Sequence, residues 1–162
     1  IFEKLFLGGE YTIRGFDIRS IGPQDATTGL VLGGNKSLLF NVEQLITIAG
    51  PVRLILFYDA GQVRNFGDAF SWWEDRIVRI PPPTTIVDPF STGALLVDPA
   101  AVPGGNVQVI GKQAAFKTST GAEVRFFMPV LNVPFRLIYA WNPHRDSFQP
   151  RTTFKFAVGT TF

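Results

Sequence analysis

The sequence predicts an all-β protein, an antiparallel meander of five strands that can each cross a lipid bilayer. Apolar and polar residues alternate with a period of two in five segments of the chain, which is the pattern of a strand with two different faces. Each segment is close to the ~9–11 residues that a tilted strand needs to cross the hydrocarbon core. No run approaches the ~18 apolar residues of a spanning helix, so no transmembrane helix is predicted.

The predicted strands are joined by connections of unequal length. They cover residues 36–48, 52–62, 116–128, 135–142 and 152–162. The tight turn Ala49-Gly50-Pro51 joins the first two and residues 129–134 join the third and fourth, whereas about fifty residues separate the second from the third. Short turns on one side and long loops on the other are typical of outer-membrane barrels, whose short turns face the periplasm. Segment 63–115 is therefore predicted to be a long extracellular loop.

Charge is confined to one face of these strands. The apolar face carries Gln44 and a few Thr as its only polar members, and it has no charged residue. The other face carries Asn41, Glu43, Arg53, Asp59, Lys117, Glu123, Arg125, Arg136 and Lys155. A Lys or Arg that faces lipid near the midplane costs roughly 2–4 kcal/mol, so a bilayer would select such a segregation.

Large aromatic residues gather toward one end of the predicted strands, as in the interfacial girdle of a membrane barrel. These residues are Tyr58, Trp72, Trp73, Tyr139 and Trp141. A soluble β-sandwich also alternates and stays open as an alternative, although it has no reason to gather Trp and Tyr at strand ends. Five strands cannot close a barrel, and lipid does not tolerate unpaired strand edges. We therefore expect a fragment of a longer chain, or pairing with other copies.

The composition argues against several other classes of protein. The net charge is +2 with acidic and basic residues interspersed, so no nucleic-acid surface is predicted, and the absence of cysteine excludes disulfides and thiolate metal sites. The glycine-rich residues 29–37 only partly match a phosphate-binding loop, since Asn35 separates Gly34 from Lys36. The one histidine, His144, lies in a polar connection. We expect no cofactor, no metal site and no enzymatic activity.

Three motifs in order along the chain point to a family. The first is residues 8–16, which read GGEYTIRGF, followed by Ile21-Gly22-Pro23. The second begins at Leu32-Gly33-Gly34-Asn35-Lys36 and continues through Asn41-Val42-Glu43 to Phe57-Tyr58-Asp59-Ala60-Gly61. The third is residues 154–162, FKFAVGTTF. Together they resemble the RGF loop, the N-x-E and F-x-D-x-G strands and the terminal β-signal of the BamA superfamily. Segment 64–113 is longer than expected there and matches none of these motifs.

The resemblance implies an architecture and a role. Residues 1–35 would be a loop that enters the lumen, and residues 36–162 would be the last five strands of a sixteen-stranded barrel in the bacterial outer membrane. The implied function is the insertion of unfolded outer-membrane proteins, with those substrates, lipid and periplasmic assembly lipoproteins as partners. In such a barrel the first and last strands meet at a weak seam that opens and templates an incoming strand. A two-partner-secretion translocation pore of the same superfamily stays open as an alternative, and a soluble β-sandwich binding module is a third.

The predicted loop anchor consists of Arg14, Gly15, Phe16, Glu43 and Asp59. Glu43 and Asp59 lie on the charged faces of adjacent predicted strands, and a guanidinium can bind carboxylates through two parallel hydrogen bonds. The resemblance implies that Arg14 makes this pairing, with Gly15 allowing close approach to the wall and Phe16 adding apolar contact. Without the resemblance, Arg14 could equally be a solvated loop arginine above a polar lumen.

The predicted terminal signal lies on the fifth strand, which should pair antiparallel with the fourth. It consists of Phe154, Phe156, Val158, Gly159 and Phe162. Regularly spaced aromatics on a terminal strand can be recognised by addition to another sheet edge. The same residues could simply face lipid, and the two interpretations are compatible. Gly159 would permit a kink or close packing beside the seam.

Overall fold

A computed structural model of the chain describes residues 3–25, 30–80, 86–87, 95–96, 106–128, 133–146 and 149–158. These residues form nine strands: β1 (Lys36–Ala49), β2 (Val52–Arg64), β3 (Trp73–Ile80), β4 (Ile86–Val87), β5 (Leu95–Leu96), β6 (Asn106–Ala114), β7 (Lys117–Met128), β8 (Val133–His144) and β9 (Thr152–Val158). Within these ranges, no helix is long and apolar enough to cross a membrane.

The main sheet has five strands in the order β1-β2-β7-β8-β9, and every neighbouring pair is antiparallel. The predicted all-β antiparallel arrangement is therefore confirmed. The predicted turn after β1 is present, with Ala49 opposite Val52 and Gly50 at a φ of 50° that favours glycine. The described sheet is open, with β1 and β9 at its edges.

Five strand boundaries differ from those predicted, and two of them differ by a single residue: β1 ends at Ala49 and β7 begins at Lys117. Strand β2 runs two residues further to Arg64, and β8 extends from Val133 to His144 instead of 135–142. Side-chain alternation marks the part of a strand with two distinct faces, so it misses polar or proline-containing ends that still pair. Strand β9 is described to Val158, and the predicted remainder, 159–162, lies outside the described residues.

The long connection between β2 and β7 contains strands that the sequence pattern does not reveal. Strands β3 and β6 form a two-stranded sheet, and β4 pairs with β5. Residues Trp73–Gln113 make up a compact unit separate from the unit of residues 1–72 and 114–162. The predicted loop at 63–115 thus contains local strands, and its extracellular location stays a prediction. Strand β3 reads WEDRIVRI, with charges at both odd and even positions, so neither face is free of charge.

The two faces of the main sheet have opposite surroundings. One face leaves its large apolar side chains exposed, among them Phe40, Val42, Leu56, Tyr58, Tyr139, Trp141, Phe154, Phe156 and Val158. On the other face several polar residues are buried, including Asp59, Ser119, Glu123 and Arg136. A soluble protein in water has the reverse arrangement, because burial of apolar surface drives its folding.

The N-terminal segment folds into an ordered layer with its own apolar core. The backbone of this segment is held by bridges between Leu5 and Gly34 and between Leu7 and Ile21. Its core consists of Leu7, Ile13, Phe16 and Ile21 together with Val63 of β2. Gly61 of β2 faces this core, and a Cβ there would lie 2.7 Å from Leu7 Cδ1. The absence of a side chain therefore lets the segment approach the sheet closely.

Candidate functional site

The turn that carries the RGF tripeptide is shaped by its own backbone. The amide of Phe16 donates to the carbonyl of Ile13 at 3.1 Å, and the amide of Gly9 donates to the carbonyl of Phe16 at 3.0 Å. Gly8 and Gly9 have φ values of 105° and 109°, which L side chains rarely adopt. These bonds close the chain into a tight reversal, and Arg14 lies at its buried end with 2% exposure. We call residues Arg14–Phe16 the loop tip.

Arg14 makes its principal contact with Asp59 of β2. Its Nε donates to Asp59 Oδ2 and its Nη2 donates to Asp59 Oδ1, each at 2.9 Å. The backbone amide of Arg14 also donates to Asp59 Oδ2 at 3.1 Å. The planar guanidinium matches the two carboxylate oxygens, a geometry that a lysine ammonium cannot reproduce.

Two further carboxylates reach the same guanidinium from neighbouring strands. Glu43 Oε1 of β1 lies 2.7 Å from Arg14 Nη2, and Glu123 Oε2 of β7 accepts a hydrogen bond from Arg14 Nη1 at 3.1 Å. The ring of Phe57 on β2 lies beneath the guanidinium, with 4.1 Å between Arg14 Cζ and the ring centroid. Arg14 therefore joins three adjacent strands through three carboxylates and one aromatic face.

The charges around Arg14 are balanced by two more arginines. Glu123 Oε1 accepts hydrogen bonds from Arg125 Nε and Arg136 Nε, both at 2.6 Å. Arg136 also lies 3.8 Å from Glu10 of the loop. Opposite charges thus alternate through the cluster, which offsets the high cost of burying ions. We call Arg14, Glu43, Asp59, Glu123, Arg125 and Arg136 the ion-pair cluster.

Burial by itself opposes the charged form of Arg14. The hydrogen bond and charge of Asp59, followed by the charge of Glu43, outweigh that effect and raise the pKa of Arg14 above its ordinary value. A polar cavity of about 330 Å³ borders the cluster on the side of Glu10 and Glu43. Arg14 is consequently a permanent cation held between a buried wall and a water-accessible space.

Asn41 of β1 links the loop backbone to the principal carboxylate. Its Nδ2 donates to Asp59 Oδ1 and to the carbonyl of Thr12, both at 2.7 Å. Asn41 and Asp59 are directly opposite each other in the β1–β2 register. The asparagine of the N-x-E motif therefore orients the aspartate of the F-x-D-x-G motif.

Gly15 sits where a side chain has no room. Its amide donates to Ser119 Oγ at 3.1 Å, and its carbonyl accepts from Asn142 Nδ2 at 2.7 Å and from Thr153 Oγ1 at 2.8 Å. A Cβ at this position would lie 1.8 Å from Asn142 Oδ1 and 2.4 Å from Ser119 Oγ. The backbone of Gly15 thus forms hydrogen bonds with side chains of β7, β8 and β9.

Phe16 completes the loop tip from the apolar side. Its ring is fully buried in the N-terminal core beside Leu7 and Ile21. Its carbonyl accepts a hydrogen bond from Lys155 Nζ of β9. The aromatic residue therefore fixes the tip to the loop's own core, while the neighbouring backbone holds it to the sheet.

The five residues of the predicted loop anchor come together in the structure. Arg14 contacts both Glu43 and Asp59, which is the pairing that the resemblance implies. Glu123 is a further partner of Arg14 that the motifs do not include, although it lies on the charged face of a predicted strand. In the β2–β7 register Glu123 is opposite Ile55, whereas Asp59 is opposite Ser119, and the guanidinium of Arg14 reaches both carboxylates. Ser119 and Asn142, the ligands of the Gly15 backbone, carry no signal in the sequence.

The predicted terminal signal lies apart from the loop anchor, on the opposite face of the sheet. Phe154, Phe156 and Val158 are exposed on β9, with Phe154 at 68%. Strand β9 pairs antiparallel with β8, from Trp141 opposite Thr152 to Phe135 opposite Val158. Gly159 and Phe162 lie outside the described residues.

Comparison with known proteins identifies the class to which this fold and site belong. The Omp85 superfamily domain matches residues 1–162, and the chain belongs to the Omp85 superfamily. It is also similar to the outer membrane protein assembly factor BamA of Nitratidesulfovibrio vulgaris (strain Hildenborough), at 23% identity over 164 residues. That similarity covers 100% of this chain and 16% of the relative, so the chain spans about a sixth of the relative's length.

Proposed function

We propose that the chain forms the C-terminal strands of a bacterial outer-membrane barrel that assembles and inserts other β-barrel proteins. The observation that carries this proposal is the bidentate contact of Arg14 with Asp59, reinforced by Glu43 and Glu123. It pins the RGF loop against the charged face of the sheet. The similarity to an outer membrane protein assembly factor supports insertion as the activity.

The distribution of exposed residues supports a membrane location for the sheet. The outward face presents Phe40, Tyr139, Phe154 and Phe156 without a neighbouring layer in the described part of the chain. A contiguous exposed apolar surface of this kind is unusual for a soluble monomer. Lipid would cover it, while the loop and the ion-pair cluster would occupy the lumen. The exposed apolar face therefore favours the membrane barrel over the soluble sandwich.

The open edges of the sheet support a larger barrel. Strands β1 and β9 each have one neighbour in the described sheet, and lipid-exposed edges would leave backbone groups unpaired. We propose a sixteen-stranded barrel in the bacterial outer membrane, in which β9 forms one side of the seam. Unfolded outer-membrane proteins would be its substrates, with lipid and periplasmic assembly lipoproteins as further partners.

Within this proposal the pinned loop keeps the barrel wall in a defined shape while the seam opens to an incoming strand. An incoming strand would pair with an exposed strand edge through backbone hydrogen bonds, the mode of β-strand addition. The ion-pair cluster spans β1, β2, β7 and β8. It would hold these strands together as a fixed body, against which the seam could open.

The proposal is tested by reconstitution of the complete natural chain in liposomes. A urea-unfolded outer-membrane barrel protein is added outside, and its folding is followed by its resistance to heat unfolding on a gel. We expect the natural protein to accelerate folding, Arg14→Ala to lose most of that acceleration, and Arg53→Ala to keep it. Arg53 is a matched control, since it lies on the same face of β2 but is exposed.

Two other results of this experiment would contradict the proposal. No acceleration by the natural protein, together with passage of an unfolded secreted polypeptide into the liposome lumen, would favour the translocation pore. Equal loss in Arg14→Ala and Arg53→Ala would mean that the loop anchor has no special role in insertion.

A further inference from the structure

Strand β9 is attached to the loop tip by two side chains on its inward face. Thr153 Oγ1 donates to the carbonyl of Gly15 at 2.8 Å, and Lys155 Nζ donates to the carbonyl of Phe16. These two β9 residues are two positions apart and so project from the same face. They bind two consecutive carbonyls of the loop, those of Gly15 and Phe16. We call Thr153 and Lys155 the β9 latch.

The loop tip is bound on its other side to strands that do not touch β9. Arg14 contacts Asp59 of β2, Glu43 of β1 and Glu123 of β7. In the described sheet, β9 hydrogen-bonds only to β8. The loop tip therefore provides a second connection between β9 and the rest of the sheet, independent of strand pairing.

The chemistry of the β9 latch makes this connection more than an incidental surface contact. The side chain of Lys155 is 22% exposed, and its ammonium also lies 4.0 Å from Asp17 Oδ1 of the loop. A hydrogen bond from a charged donor is about twice as strong as a neutral one. The carbonyl of Gly15 accepts from both Thr153 and Asn142. Loss of the β9 latch would leave the carbonyl of Phe16 with only its bond from the Gly9 amide.

We infer that Thr153 and Lys155 are positioning residues. They couple the binding of Arg14 to its carboxylates, which we call its seated position, to the mobility of strand β9 in the sheet. While Arg14 is seated, the loop tip holds β9 against the sheet. When the loop tip moves away, β9 loses both side-chain contacts, and within the described sheet its pairing with β8 is what remains. The consequence for assembly rests on the proposed function: withdrawal of the loop would release the seam strand for exchange with an incoming strand.

Coupling of this kind is reciprocal, because each contact shifts the same equilibrium between a seated and a released loop tip. Removal of the latch should therefore loosen Arg14–Phe16, and removal of Arg14 should loosen β9. If Thr153 and Lys155 have only a local role, their removal should loosen Arg14–Phe16, but removal of Arg14 should not loosen β9. The two directions can be measured separately.

Hydrogen–deuterium exchange of the complete natural chain in lipid nanodiscs tests the inference. The variants are Arg14→Ala, the double variant Thr153→Val with Lys155→Met, and all three changes together. In the natural background, we expect Arg14→Ala to raise exchange of the peptide 152–158 about tenfold, the scale of one hydrogen bond to a charged group. In the double variant, which lacks the β9 latch, adding Arg14→Ala should raise the exchange of this peptide no further. Thr152→Val is the matched control, because Thr152 is the exposed neighbour on the other side of the strand.

Two outcomes would overturn the inference. One is an unchanged exchange rate of β9 in Arg14→Ala with the latch intact. The other is an equal increase with and without the latch. Should the double variant fail to fold, Lys155→Met alone serves in its place, with Lys155→Arg expected to retain the coupling through its remaining donors. Assembly activity is measured on the same variants: loss of coupling with normal assembly contradicts this inference alone, and intact coupling without assembly contradicts the proposed function alone.

Discussion

The side chains of Arg14 and Asp59 meet edge to edge, with Nε on Oδ2 and Nη2 on Oδ1, each at 2.9 Å. The amide of Arg14 adds a third bond to Oδ2 at 3.1 Å. The same carboxylate therefore fixes both the side chain and the backbone of the loop. Asp59 has 0% exposure and Arg14 2%, so neither has water as an alternative partner. The loop and the sheet are joined at a point where separation would leave buried charges without these contacts.

The first prediction is that Arg14→Ala destabilises the complete natural chain by about 3–5 kcal/mol, the usual cost of removing one partner of a buried ion pair. The physical reason is that Asp59 and Glu123 would remain buried as like charges, with only Arg125 and Arg136 nearby. The measurement is the urea midpoint of the protein refolded in lipid vesicles. The exposed Arg53→Ala, which removes the same charge from the same face, should shift the midpoint little. Equal shifts would contradict the prediction.

Arg14→Lys tests whether geometry or charge matters at this position. Lysine keeps the positive charge but has neither the planar fork nor the reach to bind both oxygens of Asp59 while contacting Glu43. We expect it to recover less than half of the stability lost in Arg14→Ala, as measured by the same urea midpoint. Full recovery would mean that the charge alone holds the loop.

The second prediction concerns the space around Gly15. A methyl group there would lie 1.8 Å from Asn142 Oδ1 and 2.4 Å from Ser119 Oγ, so Gly15→Ala should cost about 1–3 kcal/mol of stability through overpacking. In the double variant with Asn142→Ala, the nearest obstacle is gone. The combined cost should therefore be smaller than the sum of the two single costs. Strict additivity in the urea midpoints would show that the two residues do not compete for space.

Local sequence patterns predict much of the main sheet and part of the candidate site. Alternation finds β1, β2, β7, β8 and β9 because each has one apolar and one charged face. The motifs place Arg14 with Glu43 and Asp59. The third carboxylate, Glu123, depends on the β2–β7 register, and those strands are separated by a long insertion. No turn sets that register, so neighbouring residues in the sequence do not reveal the pair.

The insertion shows the limit of alternation as a strand signal. In β3, Glu74, Asp75 and Arg76 occupy consecutive positions, so charges fall on both faces. Pairing of two strands through backbone hydrogen bonds does not require a charge-free face, and β3 pairs with β6 without one. The criterion that finds lipid-crossing strands therefore overlooks strands of this kind.

The third prediction is that the outward face of β9 contacts lipid. Spin labels placed singly at Phe154, Phe156 and Val158 in the complete natural chain should collide with oxygen more than with a water-soluble nickel reagent, because the exposed apolar face would lie in the hydrocarbon layer. A label at Ala157, on the inward face, is the control and should show the weaker oxygen preference. Preference for the nickel reagent at Phe156 would place this face in water.

The fourth prediction concerns the two sides of the membrane. A protease added to intact cells should cut within the connection between β2 and β7, since long connections of such barrels lie outside. The turn at Gly50 and Pro51 lies at the opposite end of β2 and should face the periplasm. A protease site inserted there should be cut only after the outer membrane is opened. The reverse pattern of cleavage would invert the orientation of the sheet.

The last prediction compares two glutamates that contact the same guanidinium from different surroundings. Glu123 is fully buried and also binds Arg125 and Arg136, whereas the side chain of Glu43 is 39% exposed. Each change to glutamine removes one negative charge with little change in volume. We expect Glu123→Gln to cost about 3–5 kcal/mol, because Arg125 and Arg136 lose the buried carboxylate that they share inside the cluster. Glu43→Gln should cost about 1 kcal/mol or less, since water screens an exposed pair. The urea midpoints of the complete natural chain in vesicles give both values, and added salt should reduce only the cost at Glu43. Equal costs would contradict the view that burial, rather than contact with Arg14, sets the contribution of each carboxylate.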